Sequence, residues 1–344
     1  MKIWIRADAN NRIGTGHVMR CLSLSKALKQ QGADITFVTC EDAAEELVAA
    51  KGYPVLRISG IYDDLEKELA EFRGLLEKEM PDFLLLDSYF ATLSYQRELR
   101  KILPIGIFDD TYRNDLDVDI LINYNIFAKT EGFGNVTCAP AFLLGPTYFP
   151  LRDEFIKACF TVREKAEKVL ISTGGTDSLA MGPQLLQAFL SKRSLDGIEF
   201  HIVSGRYNVS LPVLQAIAAE HSNVIIHEQV TNMAELMEQC DIAVAAGGTT
   251  MYELGTVGIP TICFAFVDNQ EKLAQGFEDQ KLVYANGNYL LEGKEMFRRL
   301  ADSLTELIAD HEARIRLHSD CRQLFDGQGA DRLAKKICEF INGR

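Results

Sequence analysis

The 344-residue sequence lacks the features that mark several classes of protein. Its eight cysteines include no C-x-x-C pair, so we expect small, buried, reduced side chains rather than disulfides or a zinc site. No run of lysine and arginine is present and the formal net charge is −13, which argues against nucleic acid and anionic membranes as partners. No apolar run approaches membrane-spanning length, and the first residues are too polar for a signal peptide. We therefore expect a cytoplasmic protein without membrane insertion.

What the sequence contains is typical of a globular α/β protein. Hydrophobic residues make up 47% and charged residues 25%. Short β-branched segments alternate with helical ones, which predicts parallel sheets built from βαβ units. At roughly 150 residues per domain, we predict two doubly wound domains, 1–152 and 153–329. A helix at 330–344 is predicted to pack back on the first domain, and a charged helix at 153–168 to join the two.

The first loop that suggests chemistry follows the first predicted strand, where residues 12–17 read RIGTGH. The third glycine of a dinucleotide-binding G-x-G-x-x-G motif would fall on Met19, so NAD and FAD are not expected. Gly14 and Gly16 instead permit a tight turn that puts His17 at a helix N-terminus, facing the cleft expected between the domains. Its position suits a general base, and equally a helix cap or a buried hydrogen bond.

Two glycine-rich turns in the second half predict a phosphate site. Residues 172–177 (STGGTD) and 245–253 (AAGGTTMYE) each follow a strand and open a helix, where backbone amides favour a diphosphate. The last residue of the second segment suits a ribose diol. The alternatives are ordinary βα turns and an acid favoured by the helix dipole. The candidate binding residues are Gly174, Gly175, Thr176, Gly248, Thr249, Thr250 and Glu253.

Polar residues also follow other strands at the expected cleft edge. Asn269 and Gln270 suit sugar hydroxyls or a catalytic water, with an Asx-type helix cap as the alternative. Tyr89 follows a strand of the first domain. Asp109 and Asp110 end another strand. They could be metal ligands or a general base, and we favour a structural role as helix caps or ion-pair partners. No histidine, aspartate and cysteine cluster has metal-ligand spacing, so no metal is expected.

Together these motifs resemble the GT-B superfamily of nucleotide-sugar enzymes, and within it the UDP-sugar hydrolases of pseudaminic acid biosynthesis. The similarity extends nearly end to end and is most specific in the Gly-His loop combined with the Asn-Gln pair. It implies two Rossmann-like domains facing across a cleft. The segments that support the resemblance are 6–8 (RAD), 13–20 (IGTGHVMR), 87–89 (DSY), 108–110 (FDD), 174–177 (GGTD), Glu253 and 269–270 (NQ).

The resemblance implies a reaction as well as a fold. UDP would lie against the second domain, with residues 227–233 near uracil, and the sugar would point toward the first. His17 would activate water for metal-independent hydrolysis of UDP-2,4-diacetamido-2,4,6-trideoxy-β-L-altrose, with inversion at the anomeric carbon and no cofactor. Tyr89 and Asn269 would help to hold water and sugar. The remaining implied binding residues are Gly14, Gly16, Arg20 and Gln270.

Two other functions stay open at this point. The lipid-II-forming glycosyltransferase has the same fold and similar turns, and relatives associated with spore-coat polysaccharide share many of the motifs. A transferase that uses a UDP-sugar donor for surface polysaccharide is therefore the first alternative, although the hydrophobic and basic patch of the lipid-II enzyme is not evident in this acidic chain. A non-catalytic UDP-sugar-binding protein is the second. Oligomeric state cannot be inferred from the sequence.

Overall fold

The computed structural model describes residues 1–111, 115–129, 141–175, 177, 179–205 and 208–344. In these ranges the chain forms two compact units, Met1–Arg152 together with Gly327–Arg344, and Asp153–Asp326. Each unit contains one parallel β-sheet with helices between its strands. The predicted fold class, two Rossmann-like α/β domains, is confirmed. No helix in the described ranges is long and apolar enough to cross a membrane.

The first unit is built on a seven-stranded sheet in which every neighbouring pair is parallel. Its strands are β1 (Lys2–Ala7), β2 (Asp34–Thr39), β3 (Val55–Arg57), β4 (Phe83–Asp87), β5 (Ile105–Phe108), β6 (Ile120–Asn123) and β7 (Ala141–Leu144). Their order across the sheet is β3-β2-β1-β4-β5-β6-β7. The central strands β1 and β4 are buried along almost their whole length because helices cover both faces of such a sheet.

Helices connect these strands. They are α1 (Gly16–Gln30), α2 (Asp42–Ala49), α3 (Leu69–Glu79) and α4 (Leu93–Arg100). In α1, Val18, Cys21, Leu22, Ser25 and Leu28 recur at helical spacing and are all buried. A short 3-10 helix, Leu65–Glu68, precedes α3.

The second unit repeats the arrangement with a six-stranded parallel sheet. Its strands are β8 (Lys168–Ser172), β9 (Glu199–Ser204), β10 (Val224–Glu228), β11 (Ile242–Ala246), β12 (Thr261–Ala265) and β13 (Asn286–Asn288), in the order β10-β9-β8-β11-β12-β13. The helices are α5 (Asp153–Ile156), α6 (Met181–Leu190), α7 (Leu211–Glu220), α8 (Met233–Gln239), α9 (Thr250–Val257), α10 (Asp268–Asp279), α11 (Tyr289–Glu292), α12 (Glu295–Ala309) and α13 (His311–Leu324).

The prediction of a helix at 153–168 is wrong beyond the first turn, because only Asp153–Ile156 is helical. Tertiary contacts override the helical tendency of the charged residues that follow. The Arg163 guanidinium donates to the Cys240 carbonyl (3.1 Å) and to Asp241 Oδ1 (2.6 Å). The carbonyl of Arg163 in turn accepts from Arg314 (3.2 Å). These bonds use backbone and side-chain groups in an irregular segment that leads into β8.

The C-terminal helix α14 (Gly329–Asn342) belongs to the first unit, and the second unit ends at Asp326 rather than at residue 329. Helix α14 packs against α1. Its first residue lies against the backbone of Phe149, where a Cβ atom on Gly329 would be 2.1 Å from the carbonyl oxygen. Only glycine permits this approach, so the position fixes where the returning helix begins.

Both sheets have a topological switch point, the place where the strand order reverses direction. In the first unit it lies between β1 and β4, and in the second between β8 and β11. Ligands of open α/β sheets bind outside the carboxyl ends of the strands at such points. The loop that contains His17 follows β1, Asp87 ends β4, and the two glycine-rich turns follow β8 and β11. The fold therefore puts the predicted motifs at the two switch points.

Candidate functional site

The loop between β1 and α1 is shaped by its own side chains and by one glycine. Asn10 Oδ1 accepts from the amides of Arg12 (2.9 Å) and Ile13 (3.0 Å). Gly14 has a φ of +72°, a left-handed conformation that glycine adopts without steric cost, and its amide donates to the Asn10 carbonyl (2.9 Å). The turn delivers the chain to Gly16, where α1 begins, and places His17 in the first turn of that helix.

The ring of His17 is paired with a carboxylate from the neighbouring strand. Its Nδ1 lies 2.6 Å from Asp87 Oδ1, and both side chains are buried. Burial alone would raise the pKa of Asp87, but the Arg20 guanidinium and His17 lower it below its ordinary value. An ionised carboxylate only accepts hydrogen bonds, so a proton lies on Nδ1, and in the neutral form of the ring the lone pair is on Nε2. This geometry gives His17 the tautomer of a general base.

Arg20 lies behind this pair and is saturated by protein groups. Its Nε and Nη2 donate to Asp87 Oδ2 (2.6 Å) and Oδ1 (2.5 Å), and Nη1 donates to Asp110 Oδ2 and to the Tyr124 hydroxyl, both at 2.5 Å. The guanidinium carbon also lies 4.7 Å from the Phe108 ring centre. With 8% of its surface exposed, Arg20 orients Asp87, and the ligand-binding role that the resemblance implies for it stays a prediction.

Tyr89 completes the group on the exposed side. Its ring meets His17 edge to face with centroids 4.6 Å apart, and 43% of the residue is exposed. Burial of the phenol and the charge of Asp110 raise the pKa of Tyr89 to about 12. The hydroxyl therefore stays protonated at neutral pH and can donate a hydrogen bond to a ligand beside His17.

Sequence reasoning gave no individual role to Asp87 or Tyr124, whereas Asp110 was expected to be a structural cap or an ion-pair partner, and its Oδ2 is paired with Arg20 Nη1 (2.5 Å). The sequence signal for Asp87 was an acid at the end of an apolar strand; that this strand pairs with the one before the histidine loop is seen only in the structure. In the structure Asp87 is the register partner of Ala7, the last residue of β1. Asp109 has a structural role, since Oδ1 accepts from the amide (3.1 Å) and hydroxyl (2.7 Å) of Thr111.

In the second unit, the glycine-rich turn after β8 is held by close backbone packing and by hydrogen bonds to Asp177, and it has open space above its glycines. Gly174 has a φ of +90°, and a Cβ atom on Gly205, the residue after β9, would lie 2.6 Å from the Gly175 carbonyl oxygen. Asp177 accepts from the amides of Met181 (2.7 Å) and Gly182 (3.0 Å) and so caps α6. Gly174 and Gly175 have no atom within 4 Å of where a Cβ would be, which leaves space above the turn. Thr176 lies outside the described residues.

The turn after β11 has the features of an anion site. Gly248 has open space at its Cβ position, and Thr249 and Thr250 lie at the N-terminus of α9. The next two amides, those of Met251 and Tyr252, donate to the carbonyls of Gly248 (3.0 Å) and Thr249 (3.1 Å). Glu253 is in the first turn of the same helix and is partly exposed. A Cβ atom on the preceding glycine, Gly247, would lie 2.8 Å from the Gln270 carbonyl oxygen. This close approach brings α10 to the edge of the turn.

The side-chain amides of Asn269 and Gln270 in α10 differ in how accessible they are to a ligand. Asn269 is exposed in the first turn of the helix. The side-chain oxygen of Gln270 accepts from the Phe266 amide (3.1 Å), so this residue also holds the end of β12. The predicted residues thus form two groups: Gly14, Gly16, His17, Arg20 and Tyr89 in the first unit, and Gly174, Gly175, Gly248, Thr249, Thr250, Glu253, Asn269 and Gln270 in the second. Among described residues, no cluster of three histidine, cysteine or acidic side chains could hold a metal ion.

Comparison with known proteins identifies the family. The model of the glycosyltransferase family 28 C-terminal domain matches residues 161–333, half of the chain. The chain belongs to this family. The spore coat polysaccharide biosynthesis protein SpsG of Bacillus subtilis is 24% identical over 337 residues, which cover 97% of this chain and 96% of SpsG. The UDP-2,4-diacetamido-2,4,6-trideoxy-beta-L-altropyranose hydrolase of Campylobacter jejuni is 27% identical over 279 residues, 80% of this chain and 95% of that protein.

The solved structures agree with this assignment at the level of the fold. The crystal structure of Acinetobacter baumannii MurG superposes with a TM-score of 0.67 and 16% identity, over 98% of this chain and 99% of that one. The fold is therefore GT-B. The expected resemblance to the UDP-sugar hydrolase group and to the SpsG and MurG proteins is confirmed.

Proposed function

We propose that the protein hydrolyses UDP-2,4-diacetamido-2,4,6-trideoxy-β-L-altrose to UDP and the free sugar, with inversion at the anomeric carbon, as a step of pseudaminic acid biosynthesis. Membership of a glycosyltransferase family supports an enzyme that acts on a UDP-sugar. The finer assignment is supported by similarity to the Campylobacter jejuni hydrolase, which aligns over most of both chains.

The observation on which the chemistry rests is the 2.6 Å contact between His17 Nδ1 and Asp87. It leaves Nε2 to take a proton from water as the water oxygen bonds to the anomeric carbon. The bond from that carbon to the diphosphate oxygen breaks at the same stage, and UDP departs with its electron pair. Tyr89 holds the water beside His17, and Asn269 is proposed as a residue that binds the sugar. Asp87 and Arg20 are positioning residues that fix the imidazole.

The proposal assigns the nucleotide to the second unit. The turns at Gly174, Gly175 and Gly248 take the pyrophosphate, helped by Thr249 and Thr250, and Glu253 takes the ribose hydroxyls. Amides at the N-terminus of α9 face developing negative charge on the diphosphate and stabilise it as it leaves. UDP is a good leaving group, so the proposal requires neither an acid side chain nor a metal.

The direct test is a phosphorus and proton NMR time course of the purified protein with this UDP-sugar, EDTA and no acceptor. We expect release of UDP together with a free sugar of inverted anomeric configuration. His17→Asn should lose about 10²–10⁴-fold in kcat, the usual contribution of a general base, while the Kd for UDP stays unchanged. Tight UDP binding without turnover, or near-normal turnover by His17→Asn, would refute the assignment.

A second candidate is glycosyl transfer from a UDP-sugar to a polysaccharide or lipid acceptor. It is favoured by the family description and by the MurG-like fold. In that case His17 would deprotonate an acceptor hydroxyl rather than water. Turnover that begins only when an acceptor is added, with the sugar appearing in the acceptor product, would favour this reaction over hydrolysis.

A further inference from the structure

Two histidines on adjacent strands of the second unit form a hydrogen-bonded chain that the mechanism above does not use. His201 Nδ1 lies 2.8 Å from His227 Nε2, and His201 Nε2 lies 2.6 Å from Glu199 Oε1. His201 is buried on β9, whereas His227 is partly exposed near the carboxyl end of β10. The chain therefore runs from a carboxylate, through a buried imidazole, to a second imidazole at the edge of the sheet where ligands of this fold bind.

The two imidazole rings are joined end to end. Their planes are 14° apart and their centroids 5.1 Å apart, so the rings lie nearly in one plane on either side of the contact between the nitrogens. The register of the sheet produces this arrangement, because His227 pairs with Val203 and so points to the same face as His201. Phe200 and Ile202 point to the opposite face, into the core around α6. A single hydrogen lies between the two nitrogens, so one ring donates and the other accepts.

Glu199 decides which ring donates. Hydrogen bonds from His201 and Lys168 lower the pKa of Glu199, so its carboxylate is ionised and can only accept. His201 Nε2 therefore carries a hydrogen, and in the neutral ring the lone pair is on Nδ1, where it accepts from His227 Nε2–H. His227 Nδ1 then has a lone pair and, among the described residues, no hydrogen-bond partner. With both rings neutral, the chain ends in an unused acceptor at the carboxyl edge of the sheet.

One extra proton reverses the polarity of this last nitrogen. If His227 takes the proton, it lies on Nδ1. If His201 takes the proton, His201 Nδ1 becomes the donor to His227 Nε2, and the hydrogen of His227 moves to its Nδ1. In both cases His227 Nδ1 changes from an acceptor to a donor. Burial and the neighbouring His201 lower the pKa of His227 below its ordinary value, so the accepting form is present at neutral pH.

The other charged side chains around the pair have partners of their own or lie farther away. Lys168 on β8 pairs with Glu199 (3.2 Å). The acids on α7, β10 and α8 are Glu220, Glu228, Glu235 and Glu238. The last three accept, in that order, from Gln215 (3.2 Å), from Asn232 (3.3 Å) and from the Cys159 amide. Glu220 is at the end of α7 that leads to the amino end of β10, away from His227.

The position of His227 suits the base of a nucleotide bound to the second unit. Strand β10 is two strands from β8, about 10 Å at the usual strand spacing, and the turn assigned to the pyrophosphate follows β8. Helix α8 begins shortly after β10 and packs beside α9, which carries the residue assigned to the ribose. A nucleoside diphosphate that extends from α9 toward α8 brings its base to the carboxyl end of β10.

We propose that His227 selects the nucleobase: its Nδ1 accepts the imide N–H of uracil, and Glu199 and His201 are positioning residues that hold it in the accepting state. Cytosine has a lone pair where uracil has this N–H, so cytosine would face the lone pair of Nδ1. The proposal rests on the proposed function in that it requires the nucleotide on the second unit. It adds the residue that distinguishes UDP from CDP and makes that choice dependent on pH.

The test compares the Kd values of UDP and CDP by calorimetry on the whole protein. Both ligands carry the same diphosphate, so the titration of the diphosphate itself cancels in the ratio. At pH 8 we expect UDP to bind at least about tenfold more tightly, because CDP loses one hydrogen bond and leaves an acceptor unsatisfied. By pH 5.5 the ratio should fall at least about threefold, because Nδ1 then donates. His227→Ala should reduce the ratio to about twofold at both pH values.

His221→Ala is the matched control, because His221 directly follows α7, before the amino end of β10. It should leave the ratio unchanged. The positioning role of His201 is tested by two substitutions. His201→Asn keeps a side-chain oxygen that can accept from His227 and should retain most of the selection at pH 8, whereas His201→Leu should lose it. Nitrogen NMR of the labelled imidazoles should show His227 protonated on Nε2 alone at pH 8 and on Nδ1 as well, or instead, at pH 5.5.

Three results would overturn the proposal: equal affinity of the wild-type protein for UDP and CDP at pH 8, a ratio that stays constant down to pH 5.5, or undiminished selection by His227→Ala. Failure to bind either nucleotide would refute the assignment of the nucleotide to the second unit, and the proposed function with it. Selection of UDP over CDP without hydrolysis of the UDP-sugar would refute the proposed function while the role of His227 stands, so the two failures are distinguishable.

Discussion

Replacing Asp87 by asparagine tests the arrangement around His17 most severely. The Asp87 carboxylate accepts from His17 Nδ1 and Arg20 Nη2 with one oxygen, and from Arg20 Nε and Cys21 with the other. An asparagine has one acceptor oxygen and one NH2 group, so in either orientation its NH2 group faces a donor of the buried guanidinium. The variant therefore disturbs both the histidine and the charge of Arg20.

The expected magnitudes follow from these contacts. Breaking a buried pair while leaving one charge behind costs about 3 kcal/mol of the free energy of unfolding. Misplacing the imidazole should lower kcat by about 10²–10⁴-fold, since the general-base contribution is of that size. The Kd for UDP should not change, because the assigned nucleotide residues are in the other unit. Urea unfolding, UDP calorimetry and the NMR turnover assay separate the three effects.

Asp241→Asn is the matched control for stability. Asp241 is also a buried carboxylate, accepting from the amides of Glu167 (2.8 Å) and Lys168 (2.9 Å) and from Arg163 (2.6 Å), at the amino end of the second sheet. It should destabilise the protein by a similar amount without lowering kcat at a temperature where the protein is folded. A well-folded Asp87→Asn variant with kcat within about threefold of wild type would refute the role given to the pair.

Three further predictions concern single residues. Burial and Asp110 raise the pKa of Tyr89 to about 12, so the phenol contributes stability that is fully present below its unfolded pKa, near 10, and is lost as pH rises toward 12. The difference in absorbance near 295 nm between wild type and Tyr89→Phe should therefore develop only above about pH 11. A transition near pH 10 would contradict this pKa. Gly329→Ala should lower the free energy of unfolding by about 1–3 kcal/mol in urea titrations, because the new Cβ would lie 2.1 Å from the Phe149 carbonyl oxygen. Gly74→Ala in α3, where the Cβ position is open, should be neutral or stabilising. Equal effects of the two changes would argue against the packing described. Glu253→Gln should weaken UDP binding about tenfold in calorimetry while binding of 2′-deoxy-UDP changes little, and equal losses for the two ligands would contradict the ribose role.

Acid sensitivity should report on Asp87 as well. Its pKa is lowered in the folded protein by Arg20 and His17 against the effect of burial. A carboxyl with a lowered folded pKa contributes stability that is present above the unfolded value, near 3.9, and is lost as pH falls through the folded value. The stability difference between wild type and Asp87→Asn should therefore narrow as pH falls below about 4. A difference that stays constant down to pH 2 in urea titrations would contradict this linkage.

The parts of the fold that follow from local patterns could be predicted from the sequence. The alternation of apolar strands with helices such as α1 fixes the fold class, and the glycine spacing before His17 predicts a tight turn into a helix. These features depend on residues within a few positions of one another. For the same reason the extent of the helix at 153–168 was overestimated: its end is set by Cys240, Asp241 and Arg314, which are distant in sequence.

The pairing within the site depends on long-range register. His17 and Asp87 are 70 residues apart, and only the parallel pairing of β1 with β4 brings them together. Arg20, one helical turn after His17, was implied by the resemblance as a binding residue, and the sequence did not indicate that Asp87, Asp110 and Tyr124 accept from its guanidinium. Helical spacing indicates which residues share one face of a helix. The sheet topology decides which residues that face then contacts.

The central claim is that water attacks the anomeric carbon of a UDP-sugar and that UDP leaves intact. Turnover of the UDP-diacetamido sugar in ¹⁸O-labelled water, followed by phosphorus NMR of the released UDP, tests it directly. The account predicts acceptor-independent release of UDP with no ¹⁸O-shifted phosphate resonance, because the carbon–oxygen bond is the one that breaks. Label in the β-phosphate of UDP, or no release until an acceptor is supplied, would contradict it.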